Sequence, residues 1–283
     1  MATSFNANLI PEQSTDAAFR AWATWVAGVF ALASTWTNTA DTGQINLTTV
    51  TRPTVANTSQ GYKIYSMNDT LQATKPVFVK IEFGSGSNAA YPALWLTIGT
   101  GSDGAGNLTG VLFPRTQIAC VASSTTGSAA YGSANTNRVA MGFFAGVTNC
   151  ALAFSIERTK GANGDDDGTG LLASYSYSTS THRTQYIPFT GTIPVAETCY
   201  QALTSTNNPS ALDNNVGIGL VSHFYGTAKQ PGINNVVVNS NDFADYATFS
   251  MTLYGGSKTF QHLGPNFTTV NSRTATRLCM IYQ

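Results

Sequence analysis

Charge is scarce in this chain. Asp, Glu, Lys and Arg make up 10% of its 283 residues, against roughly 25% in ordinary soluble domains. Lys+Arg 14 balance Asp+Glu 14. Such a chain has no basic footprint for nucleic acid or anionic lipid, and neither is expected as a partner. Cysteine is scarce as well. Cys120, Cys150, Cys199 and Cys279 include no CxxC pair, which removes the zinc-ribbon and dithiol motifs. Cys120, Cys150 and Cys279 lie in apolar runs and read as buried free thiols, with a disulfide left open. The opening MATSFNANLIPEQ has no basic region followed by an apolar stretch, so no signal peptide is expected. His182, His223 and His262 are isolated, and neither HExxH nor G-x-S-x-G occurs. No metal, cofactor or catalytic residue is therefore expected.

What the chain does have is Gly, Thr, Ser and Asn, the composition of turn-rich β-structure. One segment is helical. "DAAFRAWATWVAGVFALASTW" follows a Ser14–Thr15–Asp16 cap cluster. Phe19, Trp22, Val26, Val29 and Ala33 form one stripe, and Trp25, Val29, Leu32 and Trp36 a second. Arg20 interrupts the run, and its apolar part falls short of the roughly 20 residues a membrane span needs. A helix apolar around so much of its circumference is buried on more than one side. It packs either on its own domain or on a partner. The partner reading makes Phe19, Trp22, Trp25, Val29 and Trp36 docking anchors, and it predicts that removing residues 1–36 leaves a folded β-domain.

After Trp36 the period becomes two. "PVFVKIEF", "ALWLTI", "RVAMGF", "NCALAFSIER", "LASYSYS", "VGIGLVSHF", "ATFSMTLY" and "RLCMIYQ" alternate apolar with small polar residues. No second long helical pattern appears, so antiparallel sheets with one solvated side are expected, closed as a β-sandwich of jelly-roll type. Residues 37–60 are polar and read as an extended arm. The expected division is 1–60 as a docking helix and arm, and 61–283 as the sandwich. Residues 121–137 read as a low-complexity surface loop.

Two glycine-rich stretches invite chemistry. "GTGSDG" (99–104) matches G-x-G-x-x-G, but "AGNLTGVLFP" follows instead of a helix, so it reads as a hairpin loop. "GANGDDDGTG" (161–170) joins two strand patterns. Adjacent aspartates on such a tip point apart, which suits a solvated turn better than calcium's alternating oxygens or a glycosidase pair. Tyr175, Tyr177 and Tyr186 in "SYSYSTSTHRTQY" are candidate glycan-stacking residues, and equally candidates for packing between sheets.

The stretches "DAAFRAW", "DTGQIN", "DTLQATKPVFVKIEFGSG", "PALWLTIGTGSDGAGNLTG" and "AFSIERTKGANG", all between Asp16 and Gly164, resemble a family of virion structural proteins of tailed bacteriophages. The resemblance implies a non-enzymatic particle component assembled in the bacterial cytoplasm and found in the virion. Its partners would be copies of itself and other virion proteins. Genes of this kind lie among tail-tip and fibre genes, which implies a tail role, with head decoration or host-glycan binding as alternatives. The family brings no catalytic residues.

Overall fold

The computed structural model describes residues 15–118 in full. Elsewhere it describes the backbone of the strands and the side chains of a subset, chiefly among residues 132–141, 154–159, 168–173 and 187–189. The chain is mainly β, as its alternating patterns predict, with one α-helix among the described residues.

β1 (Thr3–Asn8) comes first. The helix, α1, spans Asp16–Phe30. The Thr15 hydroxyl caps it by accepting from the Ala18 N–H at 3.1 Å, and Asp16 places a carboxylate in the first turn, where the helix dipole favours it. Five strands follow as one sheet: β2 (Trp36–Asn38), β3 (Ser59–Met67), β4 (Phe78–Ser85), β5 (Pro92–Gly99) and β8 (Phe113–Ala119). Between β5 and β8 a small hairpin stands out, made of β6 (Gly101–Ser102) and β7 (Leu108–Thr109). β9 (Ser128–Asn135), β10 (Arg138–Ala145), β11 (Asn149–Lys160), β12 (Asp166–Ser178), β13 (Thr181–Pro188) and β14 (Glu197–Thr198) continue in that spatial order. With β1 against β9 they make a seven-stranded antiparallel sheet. The C-terminal strands form a further five-stranded sheet, in the order Ile218–Leu220, Val236–Ser240, Thr276–Ile281, Gly256–His262, Thr248–Leu253.

The jelly-roll order expected from sequence is not the order of the first two sheets. β2 to β5 and β9 to β14 are consecutive neighbours, which is a meander. Short turns such as Thr136–Asn137 between β9 and β10 leave successive strands no route except antiparallel pairing. The 121–137 stretch departs from expectation in part, because Ser128–Asn135 of it form β9, while residues 121–127 lie outside the described residues.

α1 lies between the two meanders. Trp22 meets Phe83 of β4 edge-on at 6.0 Å. Phe30 stacks on Tyr65 of β3 at 4.0 Å and lies 6.2 Å from Phe154 of β11. Val29 faces Gly132 of β9 so closely that a Cβ there would collide with its methyl groups. Helix and both inner sheet faces share one apolar core.

The polar stretch after β2 is no free arm. The Thr39 N–H bonds to the Ile64 carbonyl and the Ile45 N–H to the Tyr62 carbonyl, both at 2.9 Å, extending the open edge of β3. Arg20 of α1 donates to the Val50 carbonyl at 3.0 Å, and Asp16 accepts from the Arg52 N–H at 2.9 Å. The expected boundary at residue 60 falls inside β3, and this stretch belongs structurally with the sheet.

Candidate functional site

The five expected docking anchors come first. Phe19 and Val29 are fully buried, Trp22 is 2% exposed, Trp25 6% and Trp36 4%. The Trp36 indole donates to the Arg138 carbonyl of β10 at 3.1 Å. All five face the chain's own core, which overturns the docking expectation for them. The second apolar stripe does not need a partner, because the helix has a sheet on either side.

Two polar constellations stand out instead. The first lies where the β6–β7 hairpin folds over the outer face of β3 and β4. Asp41 accepts from the Ser102 hydroxyl and, at 3.1 Å, from the Gly106 N–H. The Thr42 N–H bonds to the Gly104 carbonyl at 2.9 Å. The Tyr62 hydroxyl donates to the Thr42 carbonyl at 2.6 Å. Lys80 reaches across the Tyr62 ring, 4.3 Å from its centroid, and donates to the Gly106 carbonyl at 2.8 Å. Gly106 has φ +95, and a Cβ there would strike the Tyr62 ring and hydroxyl, so glycine is required on both counts. At the tip, Asp103 accepts from the Ala105 and Asn107 N–H groups at 2.7 and 3.0 Å, and from the Asn107 side-chain amide at 2.8 Å. "GTGSDGAGN" is thus a hairpin, as its sequence suggested, and Gly106 is the glycine in it that serves the close approach to Tyr62.

The electrostatics of this clasp follow from its bonds. Burial by itself pushes the Asp41 carboxyl up. Hydrogen bonds from the Ser102 hydroxyl and the Gly106 N–H outweigh that, and the repulsion of Asp103, and hold it below the ordinary carboxylate range. The Asn107 side chain and the backbone N–H groups hold Asp103 down likewise. Tyr62 is pushed up by burial and by the two carboxylates.

The second constellation joins the meanders. Arg158 of β11 is fully buried and pairs with Asp69, from the turn after β3, through Nε–H to Oδ2 and through Nη2–H to Oδ1 at 2.8 Å. The same Nη2 donates to the Lys75 carbonyl at 2.9 Å, and the guanidinium lies 5.5 Å from the Phe189 ring centroid. A trace of this was visible in sequence. Arg158 continues the apolar phase Phe154, Ile156, so a charge was bound to point inward. Nothing in the sequence named its partner.

These arrangements tie distant stretches of the chain together through side chains and main chain, and the donors named are turned toward the chain itself. The side chains of Tyr175, Tyr177 and Tyr186 lie outside the described residues, although their backbones belong to β12 and β13. Residues 161–165 of the acidic stretch also lie outside them, while Asp166 and Asp167 begin β12. The cysteine and histidine side chains lie outside them too. Among the described residues, no three His, Cys, Asp or Glu side chains are grouped to hold a metal ion. No helix among them is long and apolar enough to cross a membrane. No protein-family model, curated protein or solved structure matches this chain.

Proposed function

We propose that this chain is a non-enzymatic structural component of a tailed phage particle, associated with the tail. One observation carries the reading: each stretch that resembles the virion family does a scaffolding task in the fold. "DAAFRAW" supplies Phe19 and Trp22, the start of the buried face of α1. "DTGQIN" contains Asp41, Gln44 and Ile45, which hold the polar stretch to β3 and the hairpin. "DTLQATKPVFVKIEFGSG" carries Asp69 and β4, "PALWLTIGTGSDGAGNLTG" carries β5 and the clasp, and "AFSIERTKGANG" carries Arg158. A resemblance concentrated in residues that knit sheets together is a resemblance of scaffold. Low charge fits the same role, since contacts between copies then rest on shape and main-chain pairing.

Mass spectrometry of separately purified tails and heads tests it. Recovery with tails supports the proposal, and recovery with heads alone replaces the tail role by decoration. Absence from both, together with specific retention on a glycan array, replaces it by a host-glycan-binding role.

A further inference from the structure

β1 occupies the outer edge of the seven-stranded sheet, paired with β9 from Thr3 opposite Ala134 to Asn8 opposite Ala129. That ladder is its principal contact among the described residues, and only residues 9–14 separate β1 from the cap of α1. Neither strand specifies its partner strongly. "TSFNAN" carries Asn6, Ala7 and Asn8, residue types depleted in strands. "SAAYGSAN" carries Ala129, Ala130, Gly132 and Ala134. Strands built of such small residues, β9 with a glycine among them, set register weakly and are the kind that exchange pairings. Gly132 and Ala134 are small for a reason unrelated to β1: Gly132 admits α1, and Ala134 is buried in the shared core.

We propose that β1 is exchanged between copies, so that Thr3–Asn8 of one copy pairs with β9 of a second copy in the assembled state. The exchanged and unexchanged ladders contain the same hydrogen bonds. The balance between them therefore turns on the short connection at residues 9–14 and on the local concentration of copies. A particle that holds copies side by side raises that concentration. This inference rests on the assembly reading above, and it moves the adhesive role from the buried helix to β1, an edge strand held by a single ladder.

The test uses two full-length single variants, Ser4→Cys and Ser133→Cys, because Ser4 and Ser133 are Cα partners. The two are co-expressed, concentrated and oxidised, and the linked peptides are identified by mass spectrometry. Exchange predicts a covalent dimer of twice the 29.9 kDa chain mass, with a linkage between positions 4 and 133. In that mixture such a linkage can only join two copies. The double variant on one chain should then give linked multimers. If the double variant closes within single chains and the mixture yields no 4–133 linkage, the strand stays at home and the proposal fails. If neither forms the linkage, the β1–β9 register itself is wrong and the proposal fails with it. Particle incorporation is scored separately: a 4–133 linkage in a protein absent from tails and heads keeps the exchange and removes the phage reading.

Discussion

Arg158 and Asp69 form a buried ion pair between the two meanders, with side chains 0% and 2% exposed. Arg158 comes from the middle of the chain and Asp69 from the turn between β3 and β4. The carboxylate takes two guanidinium N–H groups, the Lys75 carbonyl takes a further one, and the Phe189 ring covers the plane. Bidentate pairing of this kind fixes orientation as well as distance. It therefore sets how one sheet sits on the other, where apolar packing alone would tolerate sliding.

Removing one partner leaves the other charge in an apolar setting. Asp69→Ala should destabilise the fold by about 3–5 kcal/mol, whereas replacing both groups with apolar residues of similar volume should lose much less. Urea unfolding of Asp69→Ala, Arg158→Met and the Asp69→Leu/Arg158→Met pair measures this. Equal losses in the single and paired variants would mean that the contact contributes only as packing.

The helix yields a second prediction, opposite to the one its partner-docking reading makes. Trp22 is 2% exposed and lies against Phe83 and Phe19. Trp22→Ala should cost about 3–5 kcal/mol through the cavity it leaves, a large share of a stability of about 5–15 kcal/mol. A chain lacking residues 1–36 should fail to fold, seen as loss of a cooperative thermal transition and of soluble yield. A soluble deletion with a sharp transition would restore the docking reading.

Some of this was legible and some was not. β4, β5, β10 and β11 announce themselves, because Val79, Ile81 and Phe83, or Phe154 and Ile156, alternate with polar neighbours. The amphipathic stripes of α1 were equally clear, but periodicity reports which faces are buried and not whose surface buries them. β9 was hidden for a physical reason: its small side chains, which let α1 come close, are the ones that carry no strand signal. The clasp was hidden because it joins Asp41 to Ser102 and Gly106, 61 and 65 residues further along the chain. Bonds of that separation leave no local pattern.

The clasp makes stability depend on acidity. Asp41 is held below its unfolded value, so its contribution is fully present above an unfolded pKa of about 3.9 and is lost as pH falls through the lower folded value. At neutral pH wild type should melt above Asp41→Asn, and the gap should close as pH falls below about 4. Ser102→Ala removes one of the bonds that depress Asp41, so the narrowing should begin at higher pH in that background. A gap that stays constant down to acid pH would mean that the carboxylate's charge adds nothing to the clasp.

The contact between Val29 and Gly132 tests the placement of α1 directly. Gly132 lies on β9 where the helix presses closest, and a methyl group built there would overlap both Val29 methyls. Gly132→Ala should therefore lower stability by about 1–3 kcal/mol, the usual penalty for overpacking a tight interior. Val29→Ala also lowers it, by leaving a cavity, yet it vacates the volume the new methyl needs. The two changes together should cost less than the sum of their separate losses, with a coupling of about 0.5–3 kcal/mol, as expected for residues in contact. Denaturant midpoints for the two single variants and the pair close the cycle. Additive losses would mean that helix and strand do not meet at this point, and α1 would then have to be placed elsewhere on the sheet.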